Sequence, residues 1–326
     1  MAVTTNDLAR LCNVSRTTVI RALNDTGRIN AETKKRILET AKAQGYRPDL
    51  LARGLAKART FTIGVVVLDV MNQHFAQILN AVENCAVEQN YGVNILLHRQ
   101  DPELERELVQ RLLDYHVDGI LLSSVNKSED YARFLREVPT PVVTIDNRVA
   151  DGIPFVGIRN REALREVTRK AIRKGYREIV FVCPPFALSQ LNLYTHEERL
   201  AGFEEAFAAE GLPVGKVIRS ADYFEACEAC LTPNGGTAFI CSGDIFALDL
   251  MKYFRKKGIA AGVDYGLAGF DGVDILDYVT PQIDTVDNGD TCVARSAVDM
   301  LFSLIDGKET PTDVMLDVAY VNGQTL

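Results

Sequence analysis

Residues 8–25 read LARLCNVSRTTVIRALND, and this stretch has the form of two short helices joined by a tight turn. Leu8 and Leu11 give the first helix an apolar side, and Val19 does the same for the second. Asn13 lies between them, and Asn tolerates the left-handed backbone of a tight turn better than most residues. The spacing therefore predicts a helix-turn-helix.

Capping residues mark where three helices begin. Thr4 stands three residues before Asp7, which is the spacing of a capping box, and Ser15 is a favoured cap for the second helix. Asn30 begins a third helix that Gly45 ends, because Gly readily adopts the left-handed conformation at a helix C-terminus. The apolar residues expected to face inward on the third helix are Ile37, Leu38 and Ala41. The N-terminal region is thus predicted to be a three-helix head.

The charge of the chain is divided unevenly along its length. Residues 1–60 hold 12 Lys and Arg against 5 Asp and Glu, although the whole chain has a formal net charge of −8. The remaining 266 residues therefore hold 24 basic and 39 acidic side chains. Such asymmetry indicates a head that faces a polyanion and a body that does not.

The exposed start of the second helix carries the side chains expected to reach base edges in a major groove. These are Arg16 and Thr17, with Arg21 one turn further on. Arg suits this task because its fork can donate two hydrogen bonds to guanine O6 and N7. Contacts to phosphate are expected near the helix starts, from Thr4, Ser15, Thr18, Asn24 and Thr33. The alternative is an ordinary helical hairpin with solvated arginines.

From residue 61 onward, strand-like runs alternate with helical patterns. One helical pattern, with apolar residues at i, i+3 and i+4, covers residues 75–86. Continuous strands rich in Val and Ile, separated by helices, predict parallel sheets covered on both faces. The strand-like runs are Ile63–Leu68, Val93–His98, Gly119–Ser124, Pro141–Ile145, Glu178–Cys183, Val217–Ser220, Thr237–Ser242, Tyr265–Phe270 and Val314–Val321.

The pattern of strands and helices runs twice, over residues 62–146 and 177–271. Two similar doubly wound lobes are the simplest interpretation, so the predicted fold class of the body is α/β. Doubly wound sheets bind ligands outside the carboxyl ends of their strands. A small-molecule cleft between the two lobes is therefore expected.

The chain carries no recognisable catalytic or metal-binding motif, such as a P-loop, G-x-S-x-G or H-E-x-x-H. Cys227 and Cys230 have C-x-x-C spacing, but without a second pair or a His cluster they are expected to be ordinary thiols one helical turn apart. No apolar run approaches the ~20 residues that span a bilayer. The N-terminus also lacks a signal-peptide pattern, so the cytoplasm is the expected location. No enzymatic activity, cofactor or metal is expected.

Residues 3–60 closely resemble the head of the lactose- and galactose-repressor family. The matching stretches are VTTNDLARLCNVSRTTVIRALND and INAETKKRILETAKAQGYRPDLLARGLAKART, and the body continues the resemblance in DGILLSS, TPVVTID, RKGYREIVFV, ERLAGFEEAF and LAGFDGVD. The resemblance implies a periplasmic-binding-protein-like core of two doubly wound parallel sheets behind the helix-turn-helix head. It also implies a homodimer that binds pseudo-palindromic double-stranded operator DNA and a small-molecule effector.

The resemblance also divides the chain. It implies a DNA-binding domain over residues 1–47, a hinge helix and linker over 48–60, and an effector-binding core over 61–326. The N-terminal lobe would comprise residues 61–159 and 289–319, and the C-terminal lobe residues 160–288 and 320–326. In relatives, two hinge helices enter the minor groove and a leucine wedges into the central base step. The matching leucine is Leu55, and Arg53 lies beside it in the same segment.

The expected cleft residues follow from the resemblance and from side-chain chemistry together. Gln73, His74 and Phe75 follow the first body strand, where the family places effector contacts, and Arg199 matches a family arginine that grips effectors. Polar side chains around an aromatic floor can satisfy the several hydroxyls of a saccharide. The other predicted contacts follow later strands or lie on a crossover between lobes: Asp146, Arg148, Asp244, Asp271 and Asn288. Most relatives read Asn-Pro-Phe-Phe where residues 72–75 read Asn-Gln-His-Phe, which leaves the effector open.

The expected function is therefore an effector-controlled repressor of transcription. Two other classes of protein share parts of this pattern. A solute-binding protein for transport shares the two-lobed body, but it would need a signal peptide and would lack the basic head. A sugar-acting enzyme shares the cleft, but it would need a nucleophile and a base, and neither is apparent. The absence of a C-terminal heptad segment favours a dimer over a zipper-linked tetramer.

Overall fold

A computed structural model describes residues 3–46, 59–183, 191–220 and 222–326. The chain divides into two compact units, Met1–Thr60 and Phe61–Leu326. Each unit has its own cluster of buried apolar side chains.

Three helices form the N-terminal unit: α1 Thr5–Leu11, α2 Arg16–Leu23 and α3 Ala31–Ala43. The predicted capping box is confirmed, since the Asp7 N–H donates to Thr4 Oγ1 at 3.2 Å and the Thr4 N–H donates to Asp7 Oδ2 at 3.0 Å. The Ser15 hydroxyl likewise caps α2 by accepting the Thr18 N–H at 3.1 Å. Asn13 has φ 50°, so the tight turn between α1 and α2 uses the left-handed conformation that was predicted for it.

The core of the head is built around Leu8, Val19 and Ile37, which are completely buried. Two residues predicted to face inward are instead exposed, Leu11 to 54% and Leu38 to 42%. Leu38 lies about 100° around the helix from Ile37, to one side of the buried face that Ile37 and Ala41 form, and its side chain remains accessible to solvent. At the end of α1, the buried side chain is that of Cys12 in place of Leu11.

The first lobe of the body is a parallel sheet with a helix in most of its connections. Its first five strands are β1 Thr62–Val67, β2 Gly92–Leu97, β3 Gly119–Leu122, β4 Val142–Ile145 and β5 Phe155–Ile158, and its first three helices are α4 Gln73–Glu88, α5 Pro102–Asp114 and α6 Glu129–Glu137. The strands lie in the order β5-β4-β3-β1-β2. The sequence did not predict β5, because its apolar run is only four residues long and Gly157 interrupts it.

The second lobe repeats this arrangement with a smaller sheet. Its elements are α7 Asn160–Arg173, β6 Glu178–Val182, α8 Tyr194–Ala209, β7 Lys216–Ile218, α9 Tyr223–Glu228, β8 Thr237–Cys241, α10 Asp244–Arg255 and β9 Gly266–Ala268. The four strands are parallel in the order β7-β6-β8-β9. Helices α7 and α8 pack closely because Gly202 has no side chain: a Cβ there would lie 2.1 Å from the Arg161 carbonyl oxygen.

The chain crosses between the lobes three times, once after β5 and twice near its C-terminus. The last elements are β10 Thr285–Asp287, α11 Asp290–Ile305, β11 Asp313–Leu316 and β12 Ala319–Val321. Strand β11 joins the first sheet beside β5, whereas β12 pairs with β10 next to the second sheet. The prediction of one strand-like run over Val314–Val321 was therefore wrong, because this run holds two strands in different sheets. The predicted fold class, a helix-turn-helix head with two doubly wound parallel sheets, is confirmed.

Candidate functional site

The predicted base contacts lie on the exposed side of α2. Arg16, Thr17 and Arg21 are all exposed to solvent. Arg16 Nε donates to Thr5 Oγ1 on α1 at 3.3 Å, which holds its guanidinium near the start of α2. Arg21 passes beside Gly27, where a Cβ would lie 3.4 Å from the Arg21 Cδ. The three side chains therefore share the accessible surface of the second helix.

The residues predicted to contact phosphate lie at or near helix termini of the head: Thr4, Ser15, Thr18, Asn24 and Thr33. The Thr4 and Ser15 hydroxyls accept main-chain N–H groups within their caps. The first turn of a helix has further N–H groups without intrahelical partners, and these suit an anion. The other two predicted DNA contacts, Arg53 and Leu55, lie outside the described residues.

The body contains a cavity of about 180 Å³ where the carboxyl ends of strands from both sheets meet. This volume is small beside the roughly 300–1,000 Å³ of sites for drug-sized ligands, and it fits a smaller molecule. Six of the predicted effector contacts line it: His74, Phe75, Asp146, Arg199, Asp271 and Asn288. The cavity therefore lies where doubly wound sheets bind their ligands.

Arg199 lines the cavity from helix α8 of the second lobe and is 3% exposed. Its Nε donates to Asn160 Oδ1 at 2.8 Å, and its Nη1 donates to Asp271 Oδ1 at 3.1 Å and to the Ser242 carbonyl oxygen. The guanidinium also lies over the Phe270 ring, 3.6 Å from its centroid. These contacts engage Nε and Nη1 and leave Nη2 without a hydrogen bond to any described residue.

His74 lies between two carboxylates of the first lobe. Its Nε2 is 3.3 Å from Asp146 Oδ1, and its Nδ1 is 3.1 Å from Asp290 Oδ1. Burial is the largest influence and acts to lower the pKa of His74, but Asp290 and Asp146 together outweigh it and raise the pKa well above 6.5. Both ring nitrogens face acceptors, which is the arrangement of a protonated imidazolium.

We expect the stability of the body to fall as pH rises from neutrality through the raised pKa of His74. A raised pKa contributes stability that is fully present below about 6.5, the ordinary value, and is lost on deprotonation of the folded protein. The loss amounts to about 1.4 kcal/mol for each unit by which the pKa is raised. Thermal unfolding of the wild type and of His74→Gln across this pH range should show a steeper loss of stability in the wild type than in the variant.

Two comparisons make that pH experiment specific to His74. The exposed His116 allows a matched His116→Gln variant, which should keep the wild-type slope. Burial, followed by the neighbouring Asp271, raises the pKa of Asp244 to about 8. Ionisation of Asp244 therefore also lowers the stability of the folded protein as pH rises. Only the difference between wild type and His74→Gln reports on His74, and equal slopes in these two proteins would contradict the assignment.

Two of the cavity carboxylates are held by unusual backbone conformations at strand ends. Asp146 follows β4 with φ 57°, and Asp271 lies just beyond β9 with φ 115°. Residues with a Cβ rarely adopt such angles, which cost about 1–3 kcal/mol each and are found preferentially at functional sites. The backbone therefore directs both carboxylates to the cavity at an energetic cost.

Buried polar atoms without hydrogen-bond partners are concentrated at this cavity. Among the described residues that line it, four such atoms occur: Asp146 Oδ2, His196 Nδ1, Ser242 Oγ and Asn288 Oδ1. Buried polar groups in folded proteins are nearly always hydrogen-bonded, so each exception needs an explanation. A polar ligand that supplies the missing partners explains all four at once.

Three predicted effector contacts do not line the cavity. Gln73 Oε1 accepts the Ile275 N–H at 3.2 Å, so its side chain joins the two lobes. Arg148 is drawn away by an ion pair with Asp313 at 2.9 Å. Asp244 is completely buried, and its carboxylate accepts hydrogen bonds from the Val273 N–H and the Thr285 hydroxyl.

The structure also brings polar residues to the cavity that the sequence did not single out: His98, Ser123, Asn160, His196, Ser242 and Asp290. His98, Ser123 and Ser242 each immediately follow a parallel strand, so the strand-end argument that found Asp146 would have found them too. Burial lowers the pKa of His98. Burial and the neighbouring Arg199 lower the pKa of His196 to about 3, so both rings are neutral at pH 7.

Among the described residues, neither the two C-x-x-C cysteines nor the possible metal ligands form a reactive or metal-binding site. Cys227 and Cys230 are free and buried, and burial raises the pKa of Cys227 to about 12, which disfavours a reactive thiolate. Within the described ranges, no group of three or more His, Cys, Asp or Glu side chains is placed to hold a metal ion. None of the helices that the structure describes is long and apolar enough to cross a membrane.

A helix-turn-helix head on a two-lobed ligand-binding body defines a ligand-responsive transcription regulator. Comparison with known proteins agrees. Residues 4–49 match the lacI family of bacterial regulatory proteins, and residues 168–326 match the periplasmic binding protein-like domain. The chain is 31% identical over 294 residues to catabolite control protein A of Priestia megaterium. The alignment covers 88% of this chain and 87% of the relative. It belongs to the lacI family of bacterial regulatory proteins.

Solved structures share the fold over essentially the whole chain. The lac repressor dimer bound to operator and the anti-inducer ONPF has a TM-score of 0.86 at 20% identity, covering 100% of this chain and 99% of that one. The transcriptional regulator CelR in complex with cellobiose has a TM-score of 0.69 at 21% identity, covering 99% of both chains. The predicted family is thus confirmed, and nothing in these comparisons supports the transport alternative.

Proposed function

We propose that this regulator is a repressor that binds a pseudo-palindromic operator as a homodimer and is controlled by a saccharide bound in the cavity. The observation that carries the effector half of this proposal is the group of four unpartnered polar atoms around one small cavity. We propose further that it acts in the cytoplasm and has no enzymatic activity.

The lining of the cavity supports a saccharide. The Phe75 ring provides an apolar surface, and Arg199, Asp146 and Asn288 surround it with fixed donors and acceptors. A sugar needs this combination, because its hydroxyls require several hydrogen bonds at set angles while its C–H faces pack on apolar groups. The cellobiose in the CelR complex is a saccharide bound to a protein of the same fold.

The surface of the first lobe supports a homodimer through that lobe. Strand β2 is the edge of its sheet, and Ile95 on it is 44% exposed. Val87, on the adjacent helix α4, is 55% exposed. Unpaired strand edges and exposed apolar side chains favour association with another chain. The related lac repressor structure is a dimer on its operator, and a two-fold dimer matches a pseudo-palindromic site.

Contacts between the two lobes provide a means for the ligand to change the angle between them. On one side Gln73 and Gln77 of α4 accept the N–H groups of Ile275 and Asp274, at 3.2 and 3.0 Å. On the other side the Thr195 hydroxyl donates to the Asp146 carbonyl oxygen at 2.7 Å. A ligand that favours one arrangement of these contacts shifts the population of lobe angles, as in other hinge-closing proteins.

Arg53 and Leu55 are proposed to belong to a hinge helix that enters the minor groove. If Leu55 wedges into the central base step, Leu55→Ala should sharply reduce DNA bending and weaken operator binding, because the wedge opens and kinks that step. Effector affinity of the free protein should stay unchanged. A circular-permutation bending assay on both proteins, run beside calorimetry with the effector, measures this. Equal bend angles would leave the segment as a simple tether.

A gel-shift screen with genomic fragments tests the proposed function as a whole. We expect the protein to select a few fragments that share a pseudo-palindromic sequence, with half-sites related by the two-fold axis of the dimer. Binding to all fragments with equal affinity, or to none, would contradict a sequence-specific regulator.

A further inference from the structure

A hydrogen bond between two helices of the head holds one of the predicted base-reading arginines. Arg16 Nε donates to Thr5 Oγ1 at 3.3 Å, across eleven positions of the sequence. Thr5 is the first residue of α1, and Arg16 is the first residue of α2. The bond therefore joins the starts of the two helices that form the helix-turn-helix.

The main chain at both helix starts is held by other contacts. The capping box of Thr4 and Asp7 closes the first turn of α1, and the Ser15 hydroxyl caps α2. Leu8 of α1 and Val19 of α2 are completely buried in one core. The freedom that remains between the two helix starts is that of the long arginine side chain, and the threonine hydroxyl restricts it.

The partner of Arg16 is a neutral hydroxyl, whereas other basic side chains of the head pair with carboxylates. Arg10 pairs with Asp7 at 2.9 Å, and Lys34 pairs with Asp25. Arg16 makes no ion pair with any residue that the structure describes. A carboxylate in place of the hydroxyl would neutralise the guanidinium and repel the phosphates of DNA. The hydroxyl instead orients the guanidinium and leaves its charge available to DNA.

The bond also determines which nitrogens of the guanidinium are available to DNA. Nε is engaged by Thr5, and Nη1 and Nη2 of Arg16 make no hydrogen bond within the described part of the chain. A guanine presents two acceptors in the major groove, O6 and N7, and two parallel N–H groups of a guanidinium match them. With Nε engaged, the end that carries Nη1 and Nη2 is the one that remains for this contact.

We propose that Thr5 is a positioning residue for base reading, because its hydroxyl holds Arg16 so that Nη1 and Nη2 meet guanine O6 and N7 end-on. This inference rests on the proposed base-reading role of Arg16. Holding the side chain before DNA arrives lowers the conformational entropy that is lost on binding. Thr5 therefore strengthens the preference for guanine at the base pair that Arg16 reads, and it does so without contacting that base pair.

Thr5→Val tests the proposal in the full-length protein, because it replaces the hydroxyl with a methyl group and keeps the branched shape. The probes are the duplex that the genomic screen selects, duplexes with single base pairs changed symmetrically in both half-sites, and random DNA. We expect Thr5→Val to weaken the preference at the Arg16 base pair about two- to tenfold per half-site, which is the contribution of one hydrogen bond. Affinity for random DNA should stay unchanged. Thr5→Ser keeps the hydroxyl and should retain the wild-type preference.

A double-mutant cycle shows whether Thr5 acts through Arg16. Arg16→Ala identifies the base pair concerned, and in that background Thr5→Val should cause no further loss. Thr40→Val is the matched control, because the Thr40 hydroxyl donates to the Arg36 carbonyl oxygen within α3 at 2.8 Å. It should change neither the affinity nor the base preference.

Three results would overturn the inference. Unchanged base preference in Thr5→Val would show that the hydroxyl does not position Arg16. An equal loss in the wild-type and Arg16→Ala backgrounds, or a loss on random DNA as large as on the operator, would mean that Thr5 acts independently of Arg16. Unchanged base preference in Arg16→Ala would overturn the base-reading role in the proposed function and, with it, this inference.

Discussion

Replacing Arg199 with Ala is expected to destabilise the body by about 3–5 kcal/mol and to abolish the response to effector. The loss is large because Asp271 would keep its buried carboxylate without the cation that lies 3.1 Å away. The side chain also stacks on Phe270 and binds Asn160, so its removal loses packing as well as charge. Urea unfolding of the full-length protein measures the first effect, and operator binding with and without effector measures the second.

The charge explanation for Arg199 can be separated from packing by a double variant. Asp271→Ala alone should also abolish the effector response, because it leaves the Arg199 cation without its partner. Combining Arg199→Met with Asp271→Asn removes both charges, and it should be less destabilising than the sum of the two single changes. Operator binding in the absence of effector should be nearly unchanged in each variant that folds. An effector response that survived both Arg199→Ala and Asp271→Ala would place the ligand site elsewhere.

Replacing both Arg16 and Arg21 with Ala is expected to remove most of the preference for the operator over random DNA. Each Arg that donates two hydrogen bonds to a guanine contributes about 1–3 kcal/mol of discrimination, so the pair contributes several kcal/mol per half-site. Each single variant should relax the sequence preference at one position of the half-site. Fluorescence anisotropy with operator and with random DNA at the same salt concentration gives the ratio of the two dissociation constants.

Arg10 supplies the matched control for these arginines. It is exposed in the last turn of α1 and pairs with Asp7 at 2.9 Å. Arg10→Ala removes the same charge from the head, so any general electrostatic loss should appear in this variant as well. If Arg16→Ala and Arg21→Ala weakened operator and random DNA equally, both residues would contact phosphate and the base-reading assignment would be wrong.

The local features of the head could be predicted from the sequence because short-range chemistry determines them. The Thr4–Asp7 capping box and the left-handed Asn13 each depend on residues within a few positions of one another. Leu11 and Leu38 were assigned wrongly because helical spacing alone does not say which of several nearby apolar residues lies nearest the core. In the body, short strands were the difficult case. The four-residue β5 contains a glycine, and the pairing of β11 with β5 joins residues more than 150 positions apart.

The cavity could be predicted in position but only partly in composition. Strand ends locate it, and this is why Asp146 and Asp271 were found. Gln73 and Arg148 also follow strands, but contacts with Ile275 and Asp313, distant in sequence, turn them away from the cavity. His196 lies on α8 one turn before Arg199, so the i, i+3 spacing from a predicted ligand was the available signal. Asp290 lies two residues after Asn288, a predicted ligand on the crossover between lobes, so closeness to Asn288 in the sequence was the available signal.

Operator affinity measured with and without saturating saccharide tests most directly whether the cavity controls the head. The saccharide is the tightest ligand that calorimetry finds in a panel of sugars that includes cellobiose, and the proteins are the wild type and Arg199→Ala. An effector coupling of about 1–3 kcal/mol predicts that the sugar changes the operator Kd of the wild type by roughly 5–150-fold and leaves that of the variant unchanged. Because coupling is reciprocal, operator DNA should change the affinity for the sugar by the same factor. Equal operator Kd values with and without the bound sugar in the wild type would contradict this account.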